Sequence, residues 1–226
     1  CKGVNLAASK ATKDYILYAH DDFYFCPEWD QIFLQEVQKI GHNFFYLSGL
    51  MIERQGKAIL DCGNTLEDFD ENKLLNEYKN ANYFNFQGST WAPHLIHKDI
   101  WQKVGGFSEE FYPGTGSDPD LNMKLWRLGI RIFKGLNDAK VYHFGSIVTR
   151  RSNKSIKTET GSKGNKIFLK KWGISIKFFR KHYLRSETKY LSPLQAPNKN
   201  INYFVDLIKC KIHYFYVCFF YSKWAK

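Results

Sequence analysis

The feature that most constrains this chain is an apolar run that stops on acid. In the stretch ILYAHDDFYFCPEWD, Ile16 to Asp30, the residues Asp14 to Ala19 read as a strand that ends in His20, Asp21 and Asp22. Aromatic and turn residues follow. An amphipathic helix is then predicted over Pro27 to Ile40, with Trp29, Ile32, Phe33, Val37 and Ile40 on one side. Strand, acidic turn and helix in this order are the parts of an α/β sheet, whose strand-end loops carry sites.

The rest of the chain repeats the pattern. Phe44 to Leu47 reads as a second short strand, and the stretch with Gly49, Gly56 and Gly63 as weak strands and turns as far as Phe69. His97 to Val104 is predicted as a short helix stopped by Gly105-Gly106. In GTGSDPDLNMKLWRLG, Ser117 or Asp118 is the expected helix cap, Pro119 the first helical residue and Gly129 the stop. Ile130 to Lys134 and Ala139 to Phe144 are predicted as two further strands, the second delivering His143. Thr149 to Asn165, rich in Ser, Lys and Gly, reads as a mobile loop before two basic aromatic helices joined by a linker over Leu191 to Asn200.

Composition sets the bounds on this α/β reading. A 226-residue chain that is 44% hydrophobic and 17% aromatic can bury one sizeable core with an appendage. Lys209 and Lys211 break the most hydrophobic segment before it reaches the roughly 20 residues of a membrane span. The five cysteines, at positions 1, 26, 62, 210 and 218, are odd in number and lack paired C-x-x-C spacing, which favours a reducing, cytoplasmic setting. Cys1 follows neither an initiator Met nor signal-peptide regions, so the sequence is read as a fragment. Charge divides the chain. Residues 151 to 226 carry 17 Lys and Arg against three acids, a net of +14, which leaves −3 for the remainder of a chain whose total is +11. A basic tail of this kind meets anionic lipid, nucleic acid or a phosphorylated substrate, or is a solvated face.

Three clusters carry candidate chemistry: His20-Asp21-Asp22, Asp118-Pro119-Asp120 and His143. Asp oxygens with an imidazole suit Mn2+ or Mg2+, which keep positions open for substrate phosphates. Taken singly, each is equally a solvated turn, a helix cap or a hydrogen-bonded core histidine. Their joint order resembles the inverting nucleotide-sugar glycosyltransferases of the GT-A fold, family 2-like, over about residues 3 to 148. NLAASKATKDYILYAHDD is similar to that family's segment leading into its D-x-D motif, with Asn5, Ala11, Tyr15 and Ile16 in register, His20 in place of the first Asp, and Asp22 as the last. KVGGFSEEF resembles the Gly-Gly-Phe-Asp-Glu segment, with Ser108 for Asp and Glu109 kept. GSDPDLNMKLWRLGIRIF resembles the Glu-Asp-x-Asp-Leu motif with Ser117 for Glu, and AKVYHFGS the segment that supplies a metal-binding His.

The resemblance implies a Rossmann-like sheet with flanking helices over residues 1–149, a partial catalytic domain, and a basic helical tail over 150–226. It implies Asp118 as catalytic base, with Asp120 as its partner in the motif. Asn5, Asp21, Asp22, Gly105, Gly106 and Glu109 are implied at the donor, and Asp22, His143 and His20 at the metal. The helix N-terminus is expected to keep Asp118 ionised. The family places two or three strand-helix units before the Asn5 segment, and these hold most of the base pocket. Their absence here leaves three readings: an N-terminally incomplete sequence, a partner that supplies the missing half, or a degenerate relative. The implied reaction is metal-assisted, non-processive transfer from a nucleotide sugar to a glycan, lipid-linked or protein acceptor, because the Q-x-x-R-W segment of processive synthases is missing after Asp118. The alternatives are a non-catalytic sugar-nucleotide-binding module and a metal-dependent phosphoesterase. The tail is expected to touch an anionic membrane surface peripherally, and no nucleic-acid partner is expected, since no binding motif accompanies the basic residues.

Overall fold

A computed structural model describes residues 1–88, 92–145 and 154–221. The protein is α/β, with a mixed seven-stranded sheet flanked by helices. Helix α1 (Lys2–Lys10) precedes β1 (Tyr15–Tyr18), β2 (Phe23–Phe25), α2 (Trp29–Ile40), β3 (Phe45–Glu53), β4 (Ala58–Ile59), α3 (Glu71–Glu77), β5 (Phe86–Gln87) and β6 (His94–His97). Then come α4 (Lys98–Val104), α5 (Ser117–Leu128) and β7 (Ile132–His143). The C-terminal part is helical: α6 (Lys154–Trp172), α7 (Ile176–Phe178) running into a π-helical turn (Phe179–Leu184), and α8 (Ile201–Tyr221). Among the described residues no helix is long and apolar enough to cross a membrane.

The strands run β1-β6-β3-β7-β2, with β4 beside β3 and β5 beside β7. β3 and β7 are parallel neighbours; β6 lies antiparallel to β1 and β3, and β2 antiparallel to β7. β3 is covered on both faces, which explains its nearly unbroken apolar run. Phe45 and Leu47 meet Phe33 of α2, whereas Tyr46 faces the cluster that holds α4 and α5. β1 and β2 end the path on opposite sides, yet only Ala19 to Asp22 separate them. Four steps of about 4.8 Å make about 19 Å, more than the five intervening peptide units span even when stretched, about 18 Å. The sheet must therefore curl, and the acidic turn straps its two edges.

Several expectations are corrected. Phe23–Phe25 is a strand rather than part of a turn, because it finds a partner in Val141 to His143 far along the chain. The two strands expected over Ile130 to Phe144 are one, β7, since Gly135 to Asp138 stay extended while pairing shifts by a bulge opposite Ser48 and Leu50. Residues 154–165 are helical, not a loop; 149–153 lie outside the described residues, as does the boundary expected at 149/150. Gly164, which reads as loop, has a packing reason: a Cβ there would stand 2.0 Å from the Thr115 carbonyl oxygen, so α6 rests directly on backbone at this point. The tail shares a core with the sheet, with Phe168, Phe178, Phe179 and Leu184 packed in one cluster with Ile16, Tyr46 and Trp126.

Candidate functional site

Two of the three expected clusters meet through strand pairing. β2 runs antiparallel to the end of β7, so Phe23 stands opposite His143 and the Phe144 N–H donates to the Asp22 carbonyl at 3.1 Å. His143 Nε2 then lies 3.1 Å from Asp22 Oδ2, and His20 packs beside it with ring centroids 6.4 Å apart. One ligand atom from each of His20, Asp22 and His143 falls within 4.8 Å of the others. On its far side His143 Nδ1 is held by Glu53 Oε1 at 2.6 Å, from the end of β3. A carboxylate on the outer nitrogen fixes the tautomer and orientation of a ligating histidine. Burial works against charge on His143, but the Glu53 hydrogen bond and the Asp22 and Glu53 charges outweigh it and raise its pKa. On His20 burial prevails over the attraction of Asp22 and lowers the pKa, which leaves a neutral imidazole able to donate a lone pair. Asp21 is exposed at the tip of the turn.

The donor set fits a divalent cation. The 3.1 Å approach of Asp22 to His143 is a direct hydrogen bond that a cation would have to replace, and adjacent ligands of an ion bound at about 2.1 Å stand about 3 Å apart. Two imidazoles with one carboxylate suit Mn2+ better than Mg2+, which prefers oxygen throughout.

The third cluster sits across a cavity of about 500 Å³ whose lining includes His20, Tyr18, Phe107 and Asp118. The helix cap here is Gly116, with φ 91°, rather than Ser117 or Asp118. Ser117 Oγ turns back to donate to the Gly114 carbonyl at 2.6 Å. Asp118 is thereby released from capping and points at the sheet, with Oδ1 3.9 Å from His94 Nε2 and no hydrogen bond on Oδ1 among the described residues. Burial, opposed by its own backbone N–H, pushes its pKa up to about 7. The expectation of an ionised group stabilised by the helix N-terminus is corrected: desolvation outweighs the dipole. His94 is fully buried in β6, directly across from Tyr18 in β1, and its ring stacks on Tyr46 at 4.6 Å. Burial first and the Asp118 charge second hold both tyrosine hydroxyls protonated.

Asp120 is turned the other way. It is fully buried and receives Ser108 Oγ at 2.6 Å, Trp172 Nε1 at 2.8 Å and Lys171 Nζ at 3.0 Å, which pins α6 to the start of α5. Asn5 also has a structural employment: its amide donates to the Phe107 carbonyl at 2.8 Å and accepts from the Phe107 N–H at 2.9 Å. Gly105 caps α4 in the left-handed region at φ 72°, and a Cβ on Gly106 would strike Asn5 and Trp101. Glu109 is exposed in the following turn. Sequence reasoning placed His94 in a loop around Trp91 to His94 expected to set acceptor specificity, and missed Glu53, Tyr18 and the part of the cavity wall that brings Arg180. That wall comes from the tail, for Asn165, Ile176 and Arg180 line both this cavity and a neighbouring one of about 610 Å³ that adds Lys177, Lys181 and Arg185. Comparison of the chain with protein-family models and with curated proteins finds no match.

Proposed function

We propose that the protein is an inverting, GT-A-like glycosyltransferase acting on a nucleotide sugar. The observation that carries this reading is one cavity with His20 of the cation cluster on one wall and, on another, Asp118 with a buried Oδ1 that has no hydrogen bond among the described residues. His20, Asp22 and His143 would hold the cation, Mn2+ on the donor set. Its role when bound is to neutralise charge on the leaving diphosphate. Asp118 takes the proton of the acceptor hydroxyl as that oxygen bonds to the anomeric carbon and the sugar–phosphate bond breaks, with the electron pair leaving on the nucleoside diphosphate. A carboxylate with a pKa near the working pH is a more effective base than an ordinary aspartate. Arg180 brings a positive charge to this cavity, and Lys177 and Arg185 line the neighbouring one that shares Arg180 with it, an electropositive side suited to phosphate. The five free thiols suit a reducing, cytoplasmic compartment.

The test is transfer from a panel of nucleotide sugars with Mn2+ to hydroxyl acceptors. Sugar transfer to product supports the reading; metal-dependent phosphate release with no preference among donors would point to a phosphoesterase. Donor binding without turnover would point to a non-catalytic sugar-nucleotide-binding module.

A further inference from the structure

Helix α8 has two apolar faces. Tyr203, Cys210 and Val217, seven residues apart, turn to the protein body and are buried. At about 100° per residue, the opposite side collects Ile201, Phe204, Ile208, Ile212, Phe215 and Phe219, all of them exposed. Phe215 is 66% and Phe219 74% exposed, far from the scattered single apolar residues of an ordinary surface. Exposed Lys209 and His213 border one edge of this stripe, and exposed Lys211 the other.

We propose that the outer stripe of α8 lies in the headgroup region of an anionic lipid surface, parallel to it. The charge selects this occupant. Residues 151–226 hold 17 Lys and Arg against three acids, and two of those acids are already paired, Glu187 with Arg180 and Asp206 with Lys181 and His182. A second copy docking stripe to stripe would set Lys209 and Lys211 among cations, an unfavourable match. An anionic bilayer attracts the lysines and receives the phenylalanines at the headgroup boundary. The inference stands apart from the proposed transfer reaction and is read without measuring activity.

The experiment is flotation of the 226-residue protein with vesicles of phosphatidylcholine alone and of phosphatidylcholine with phosphatidylglycerol. Flotation on the anionic vesicles is expected, with little on the neutral ones. Ile212→Asp with Phe215→Asp, both at solvent-facing positions, is expected to abolish it with an unchanged circular dichroism spectrum. Lys209→Gln with Lys211→Gln is expected to weaken it by roughly fivefold for each lysine. Equal flotation of the wild type on both vesicle types, or none on either, overturns the proposal. So does a concentration-dependent dimer, seen by sedimentation, that the aspartate pair dissociates while flotation is unaffected.

Discussion

Asp118 and Asp120 stand two residues apart at the start of one helix and occupy opposite environments. Asp120 is saturated: a hydroxyl, an indole N–H and an ammonium converge on it. Asp118 is 15% exposed, with a buried Oδ1 that no donor reaches among the described residues, beside a histidine ring 3.9 Å away. One helical turn thus holds a carboxylate that organises structure and another kept in a state that favours protonation near neutrality. Saturation makes a clamp, whereas a lack of donors raises the pKa and suits the base of the proposed reaction.

The largest expected effect separates the two by activity. Asp118→Asn should lower sugar transfer by about 10² to 10⁴ while donor binding, read by calorimetry, stays near wild type. Retention of most turnover would reduce Asp118 to a buried core group. Asp120→Ala should act through the fold instead: leaving Trp172, Ser108 and Lys171 without their acceptor is expected to cost about 3 kcal/mol in denaturant unfolding. The pH dependence sharpens the contrast. The pKa of Asp118 in the folded protein, about 7, lies above its ordinary 3.8, so the folded state binds more protons than the unfolded chain between those values. Stability contributed at this site therefore falls as pH rises through that window, and Asp118→Asn should be more stable than wild type at pH 8, by on the order of 3 kcal/mol, and no different near pH 3. The same titration predicts a transfer rate that drops below about pH 7 rather than near pH 4. The smallest effect is at the partly exposed end of the clamp, where Lys171→Met should cost only about 1 kcal/mol because that side chain is 27% exposed.

Local patterns were legible where the chain itself decides. The strand at Tyr15–Tyr18, the apolar side of α2 and the stop of α4 at Gly105 follow from periodicity and turn chemistry over a few residues. The meeting of Asp22 with His143 was expected from a resemblance, and its physical agent, the three-residue strand Phe23–Phe25, was not seen because its partner lies more than 100 residues away. Glu53 was invisible for the same reason: it ends an apolar strand, and the histidine it holds lies 90 positions along the chain. The direction of Asp118 was misread because Ser, Asp and Pro in succession satisfy the rules for a helix start, while Gly116 takes the cap position and frees the side chain. In α6 a glycine that lowers local helix propensity is the residue that permits contact with the Thr115 carbonyl, so tertiary packing overrides the local preference.

The curl that brings β1 and β2 around the acidic turn also sets an order of events in time. Among the described residues β1 pairs only with β6, about 80 positions later in the chain, and β2 only with the last residues of β7, more than 110 positions later. As the chain leaves the ribosome, the strand before the His20 to Asp22 turn can pair once residue 97 has emerged, but the strand after it has no partner until residue 143 has. Contacts of such long range are slow to form. The turn that carries His20 and Asp22 is therefore among the last parts of the sheet to close, and a chain halted before β7 holds these residues without ever bringing them to His143.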